Sequence, residues 1–369
     1  HDALPICLTR ERARLEQDGA EIVDLTQSNP TQAALDYPTA ALNCALAQAD
    51  AGAYHPCAQG ERRAREAVAR YYAERERTVD PDDVFLTCST SEAYAWLLKL
   101  LCDPGDNVIT PQPGYPLLHD LAALEDVRLR HYALTPHDDG WRIDPNSIQA
   151  AWLPSTRAVL AVNPNNPTGS FLTEDDRQQL ARLACPAIVD EVFADYAVDR
   201  QFTRSHVGRH ASPNFVLSGL SKVCGLPGLK LSWIVIQGPP AVRGRARERL
   251  ARVADTYLSV TAPVQHMLPE LLAAGKTIRK QIQHRLTQNR QLLATADLRL
   301  LPTDGGWYAI IHTTADDDEA RALELLQRHH IAVHPGYYYD LPLEGCLVLS
   351  LLTPPPALQQ ALTHADAFA

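Results

Sequence analysis

The 369-residue chain has no run of about 20 apolar residues, the length a helix needs to cross a bilayer. Its start, His1-Asp2-Ala3-Leu4-Pro5, passes into charged sequence without an apolar stretch of secretory-signal length. It also lacks an initiating methionine, as expected of a trimmed or tagged N-terminus. There is no C-x-x-C pair. The eight cysteines (Cys7, Cys44, Cys57, Cys88, Cys102, Cys185, Cys224 and Cys346) are scattered, with no Cys/His cluster at zinc-ligand spacing. Unclustered thiols in a chain this long read as reduced packing residues, and the expected location is the cytoplasm. The neighbours His329-His330 would point apart on a helix, so no metal is expected there. Positive charge is not in excess: the formal net charge is −10. A nucleic-acid binder carries a basic patch or surplus, so neither a nucleic-acid nor a membrane partner is expected. Repeats and low-complexity segments are absent.

Hydrophobic residues make up 46% of the chain, enough for a large core. Short apolar runs alternate with turns and amphipathic runs, the pattern of α/β architecture with a largely parallel sheet. Predicted strands are Val84–Thr87, Asn107–Thr110, Ala158–Val162, Ala187–Asp190, Phe215–Ser218 and Leu231–Ile236. Predicted helices are Glu61–Arg77, Glu92–Leu101, Thr173–Ala184, Ala241–Ala254 and Ile278–Ala294. The tail groups differently: strands at Asp297–Leu301 and Gly306–His312, a helix at Asp316–His329, then short strands at Ile331–Val333 and Cys346–Leu351. The expected division is a large domain over 45–255 and a smaller α+β domain from 1–44 and 256–369.

Ligands of open parallel sheets bind beyond the carboxyl ends of the strands, and five of these ends carry unusual residues. Cys88-Ser89-Thr90-Ser91-Glu92 opens a helix; it is an ordinary cap or an anion site. Asn163-Pro164-Asn165-Asn166-Pro167-Thr168-Gly169 is a stiff loop able to aim an amide into a cleft. Asp190 ends an apolar strand, where a carboxylate needs a partner unless it caps a helix. Lys222 follows Ser218-Gly219-Leu220-Ser221 among small and apolar residues. A lysine desolvated there has a lowered pKa and suits Schiff-base chemistry; otherwise it is surface. Tyr115, between Pro113 and Pro116, is either a core aromatic or a stacking surface for a flat ligand.

As a set, "NPNNPTG", "DEVFADY" and "SGLSKVCGLPGLKLSW" resemble the fold-type I enzymes that use pyridoxal 5'-phosphate (PLP), in particular the class I/II aminotransferases of the aspartate aminotransferase superfamily. The resemblance runs from about Val23 to Ser350. It implies a PLP-transferase-like large domain with a mostly parallel, seven-stranded sheet between helices. It implies an aminotransferase that moves an amino group from an amino acid to a 2-oxo acid by a ping-pong route. Lys222 would hold the coenzyme as a Schiff base and shuttle the substrate proton. Asp190 would pair with the ring nitrogen, Asn166 would donate to the phenolic oxygen and contact substrate, and Tyr115 would stack on the ring. Thr90 and Ser91 would hold the phosphate, with Ser218 or Ser221 and Lys230. Tyr54 would reach the phosphate of a second copy, making a homodimer with shared sites, and Ser28-Asn29-Pro30 would line the substrate pocket.

Five departures stand out, one of them Ser89 in place of the glycine of the phosphate turn. Phe193 replaces the tyrosine that also contacts the phenolic oxygen. Lys230 replaces an arginine and keeps its charge without the fork. Gly219 replaces a serine three residues before the lysine. Val348 stands where relatives carry the arginine that clamps the substrate carboxylate, and no arginine follows Arg328. His334 and the Tyr337-Tyr338-Tyr339 run offer donors or are packing residues. Two alternatives remain: a β- or γ-elimination lyase or synthase on the same scaffold, and a non-catalytic PLP-scaffold binding module.

Overall fold

The computed structural model describes residues 5–50, 52, 55–183, 185–199, 205–208, 210–258 and 260–368. An eight-stranded sheet forms its centre. In spatial order the strands are Val84–Thr87, Ser232–Gln237, Asn214–Gly219, Ala187–Asp190, Thr156–Val162, Asn107–Gln112, Arg128–His137 and Gly140–Ile143. Ser232–Gln237 runs antiparallel to both neighbours, and Gly140–Ile143 pairs antiparallel with Arg128–His137. The intervening pairs are parallel. The six strands expected from sequence are all present. The turn after His137 folds the chain back and adds a short eighth strand at the edge.

The inner strands are apolar throughout, as a sheet covered on both faces requires. Phe215, Val216 and Leu217 are fully buried, as are Ile188 and Val189. Alternate residues feed two cores: Val216 and Val235 join one cluster, Phe215, Leu217 and Ile236 the other. Strands Val84–Thr87, Asn107–Gln112, Thr156–Val162, Ala187–Asp190 and Asn214–Gly219 point the same way, so their carboxyl ends share one edge. Ser232, which begins the reversed strand, lies at that edge too.

The termini meet each other. Val23–Asp24 pairs in parallel with Ile331–Ala332, and Ser350 N donates to Leu25 O at 2.6 Å. Tyr308–His312, Cys346–Ser350 and His334–Pro335 form an antiparallel three-stranded sheet with Cys346–Ser350 in the middle. The strand expected at Asp297–Leu301 does not form. That segment makes one bridge, Leu300 with Ile311, on the free edge of Tyr308–His312, with Leu301 N donating to Ile310 O at 2.9 Å and His312 N to Arg299 O at 2.8 Å.

The helix expected from Ile278 begins at Ala262 and runs to Thr295, straight through Pro269 and Gly275. A continuous apolar face of Met267, Leu268, Leu271, Ile278, Ile282, Leu286 and Leu293 is buried along it, outweighing the cost of both residues. Gly275 is required by close approach: a Cβ there would lie 2.3 Å from Cys224 Sγ. The long helix thus braces the turn that carries Lys222. Among the described residues no helix is long and apolar enough to cross a membrane.

Candidate active site

A cavity of about 500 Å³ opens at the shared strand edge, closed on its other side by Ser28, Tyr308, His334, Tyr339 and Asp340 from the terminal segments. Of the residues singled out in the sequence, Thr90, Ser91, Tyr115, Asn166, Asp190, Phe193, Ser221, Lys222 and Lys230 all line it. Two are placed elsewhere. Ser218 points to the opposite face of the sheet, into a separate cleft, because alternate residues of a strand face opposite ways. Asn29 uses its side-chain oxygen to cap Thr31 and does not line the cavity; its neighbour Ser28 does. Tyr54 lies outside the described residues.

Lys222 follows Asn214–Gly219 in the short helix Leu220–Val223. Its backbone carbonyl accepts from Tyr196 OH at 2.5 Å, and Arg279 of the long helix donates to Val223 O at 3.2 Å. Its Nζ sits 4.7 Å from the Trp307 ring centre and 5.5 Å from that of Phe193. The two rings meet edge-on at 5.3 Å. Burial in this aromatic corner pulls the ammonium down to about 8, against an opposing pull from Asp190. The lysine is therefore desolvated and not an ordinary surface residue.

Asp190 ends its strand only 6% exposed. Burial pushes its carboxyl above the usual range, while Val192 N, Tyr94 OH and the charge of Lys222 act in the other direction. The two hydrogen bonds measure 2.9 Å and 2.8 Å. Glu191, one residue on, turns to the other face and is held by Asn163, Ser205 and His206.

Asn166 is buried, and its Oδ1 has no partner among the described residues. The loop that carries it is pinned by Asn165 N donating to Ser170 O at 2.9 Å and Asn165 Nδ2 to Pro113 O at 3.3 Å. The second contact ties it to the loop of Tyr115, a half-exposed ring. In the helix Thr90–Leu101, Ser89 Oγ caps Glu92 N at 3.1 Å, and Glu92 Oε2 accepts from Cys88 N at 2.7 Å. Thr90 and Ser91 occupy the first turn, where backbone N–H groups have no acceptor inside the helix.

A model of the family described as aminotransferase class I and II matches residues 20–364. The chain belongs to that family. It is 30% identical over 242 residues to nicotianamine aminotransferase 1 of Oryza sativa, an alignment covering 63% of this chain and 48% of that protein. The chain thus spans about half the length of that relative. It is 27% identical to an alanine aminotransferase of Mycobacterium bovis over 89% of this chain and 81% of the relative. The fold matches that of an alanine aminotransferase from Pyrococcus furiosus with a TM-score of 0.85, covering 98% of this chain and 96% of that one at 21% identity. An aspartate aminotransferase of Thermus thermophilus gives 0.82, covering 98% and 96%, at 23% identity.

The coenzyme of this family is pyridoxal 5'-phosphate, and the cavity fits it. A buried carboxylate suits a protonated ring nitrogen, and the Asn166 amide, whose NH2 can donate to a phenolic oxygen, lines the same space. Hydroxyls of Thr90, Ser91 and Ser221, a helix start and the ammonium of Lys230 suit a phosphate. Tyr94, Trp307, Tyr308 and Ser232 belong to the site or its walls and were not picked out in the sequence. Tyr94 alone had a signal, lying four residues beyond Thr90 on the same helix face.

Proposed function

We propose that this chain is a pyridoxal-phosphate-dependent aminotransferase that moves amino groups between amino acids and 2-oxo acids. One observation carries the reading: the desolvated Lys222, drawn down to about 8, shares a cavity with the buried Asp190 and with Asn166. The described relatives, all aminotransferases by name, favour transamination over the elimination and binding-only readings.

Bound in this cavity, the coenzyme supplies an aldehyde that captures amines and a ring that withdraws electrons from the captured carbon. The protein's own groups do the rest. Asp190 keeps a proton at the ring nitrogen. Lys222 Nζ, with its neutral form accessible near pH 8, would hold the coenzyme through its aldehyde and would carry the proton lost from the substrate's α-carbon. Asn166 would donate to the phenolic oxygen, Tyr115 would cover the ring, and Thr90, Ser91, Ser221 and Lys230 would hold the phosphate.

Among the described residues no arginine lines the cavity. The reading therefore gives the substrate carboxylate to Ser28, Tyr308, His334 and Tyr339, with amino acids of neutral side chain as the class. It also includes a large unit over 45–255, a small one from 1–44 and 256–369, a cytoplasmic setting supported by eight free cysteines, and a homodimer with shared active sites, in which Tyr54 would reach the phosphate of the second copy. The test is an absorption spectrum of the purified protein with added coenzyme, followed by single amino acids. An absorbance change that a 2-oxo acid reverses supports transamination. Ammonia release without that reversal overturns it in favour of elimination, and failure to take up the coenzyme overturns it altogether.

A further inference from the structure

Ser232 sits between two parts of the cavity floor. In the sheet it pairs with Thr87, which leads into the helix start at Thr90, and with Gly219, which leads into the Lys222 turn. It follows Lys230 by two residues and lines the same cavity, yet it is only 2% exposed. No hydrogen bond of its hydroxyl to a described residue is seen, and the residue borders the cavity.

Gly219 explains the crowding. A Cβ built at residue 219 would lie 2.1 Å from Ser232 Oγ and 2.8 Å from Ser232 Cβ. Both figures are below any real contact, so the two positions cannot each carry a side chain as they stand. Gly219 has an extended backbone, φ −178°, and does not need glycine's freedom of conformation. It is glycine because Ser232 fills its side-chain space. Only one hydroxyl fits between the helix start and the lysine turn, and here the reversed strand provides it.

We infer that Ser232 is a ligand of the coenzyme phosphate, delivering across the strand pair the hydroxyl that residue 219 lacks. This rests on the proposed coenzyme site. An oxygen donor facing a dianion beside Lys230 makes a charge-assisted hydrogen bond, which is stronger than a neutral one. Thr90, Ser91, Ser221 and Lys230 then surround the remaining phosphate oxygens.

The test uses the full chain, freed of coenzyme, with two probes: PLP and pyridoxal, which has the ring but no phosphate. Equilibrium dialysis gives a Kd for each, and the phosphorus NMR shift of bound PLP reports on the phosphate itself. Ser232→Ala is expected to weaken PLP about 10-fold or more, the size of one lost hydrogen bond to a charged group. It should leave pyridoxal unchanged and move the phosphorus signal. Gly219→Ser alone should disrupt the site by the clash, while Gly219→Ser with Ser232→Gly should restore PLP affinity. A Ser232→Ala protein that binds PLP as tightly as the parent overturns the inference, as does one that loses PLP and pyridoxal alike, since that marks a packing role. The exchange variant decides independently if Ser232→Ala does not fold: tight PLP binding, or PLP weakened with pyridoxal unaffected, supports a phosphate contact, and PLP and pyridoxal weakened alike overturn it. A parent protein that binds neither probe refutes the coenzyme site itself, a separate result.

Discussion

Tyr94 donates its hydroxyl to Asp190 Oδ2 at 2.8 Å, linking the helix Thr90–Leu101, whose first turn lines the cavity, to the buried carboxylate at the end of Ala187–Asp190. Tyr94 is buried, and its own ionisation is pushed well up by burial and by Asp190, so it remains a donor across the working pH range. On the proposed reading one helix would serve both ends of the coenzyme: its first turn would meet the phosphate and its second turn steadies the carboxylate.

Replacing Tyr94 by Phe leaves Asp190 with Val192 N as its recorded donor. A hydrogen bond to a charged group contributes about 1.5–3 kcal/mol, so coenzyme affinity should fall about 10-fold or more. The sign of the pH effect follows from burial, which already raises the Asp190 carboxyl. Without Tyr94 it rises further, and the acid limb of kcat/KM should move to higher pH. An acid limb that stays in place with unaltered affinity shows that Tyr94 only packs.

Lys222 titrates near 8 in the folded protein and near 10.5 when exposed. Between those values the unfolded chain binds more protons, so this residue makes the coenzyme-free protein more stable as pH rises through that window. Denaturant unfolding at several pH values should show a positive slope there that Lys222→Met removes. The rate at which coenzyme-free protein captures PLP should climb around pH 8. A climb only near 10.5 means the lysine is solvated and the aromatic corner of Trp307 and Phe193 has no effect on it.

The sheet was legible because its strands are continuous apolar runs bounded by turns, and strands such as Val84–Thr87 and Ala187–Asp190 begin and end where expected. Arg128–His137 was not legible. It alternates partly exposed arginines and histidines with buried Tyr132 and Leu134, and it resembles a loop until Asn107–Gln112 pairs with it. The site divides the same way. Lys222, Asp190 and Asn166 stand at strand ends within short motifs, so local sequence marks them. Ser232 gains meaning only from cross-strand register, the choice between donor and packing residue left open for His334 needed it too, and Ser218 was misleading because a motif does not record which face of the strand a residue takes.

Gly169 closes the Asn166 loop with φ +70°, and a Cβ there would lie 2.1 Å from Thr303 Oγ1 and 2.2 Å from Gly305 O. The second contact is backbone and cannot turn aside. Gly169→Ala therefore meets an unfavourable left-handed conformation, itself worth about 1–3 kcal/mol, together with a direct clash. A lower midpoint of thermal unfolding and weaker coenzyme binding are expected together, since relief of the clash displaces Asn166. A Gly169→Ala variant as stable as its parent contradicts the close packing of the 163–169 loop on residues 303–305.

His334 pairs across the small sheet with Val348, the position from which an arginine is missing. Val348 is fully buried and offers nothing to the cavity, whereas His334 lines it. His334 Nδ1 lies 2.9 Å from Tyr339 OH, and both side chains stand on the wall facing the sheet edge, beside Ser28 and Tyr308. Burial lowers the His334 pKa, so near pH 7 the ring acts through its N–H and not as a full cation. A neutral donor holds a carboxylate less tightly than an arginine fork. His334→Ala and Tyr339→Phe should each raise KM for the amino acid and leave kcat nearly unchanged, the pattern of lost binding shared by ground and transition states. PLP affinity should not move, because neither residue is placed at the phosphate or the ring nitrogen. If KM stays level in both variants while the fold is intact, the carboxylate is held by a group other than this wall, and the tyrosine run serves packing alone.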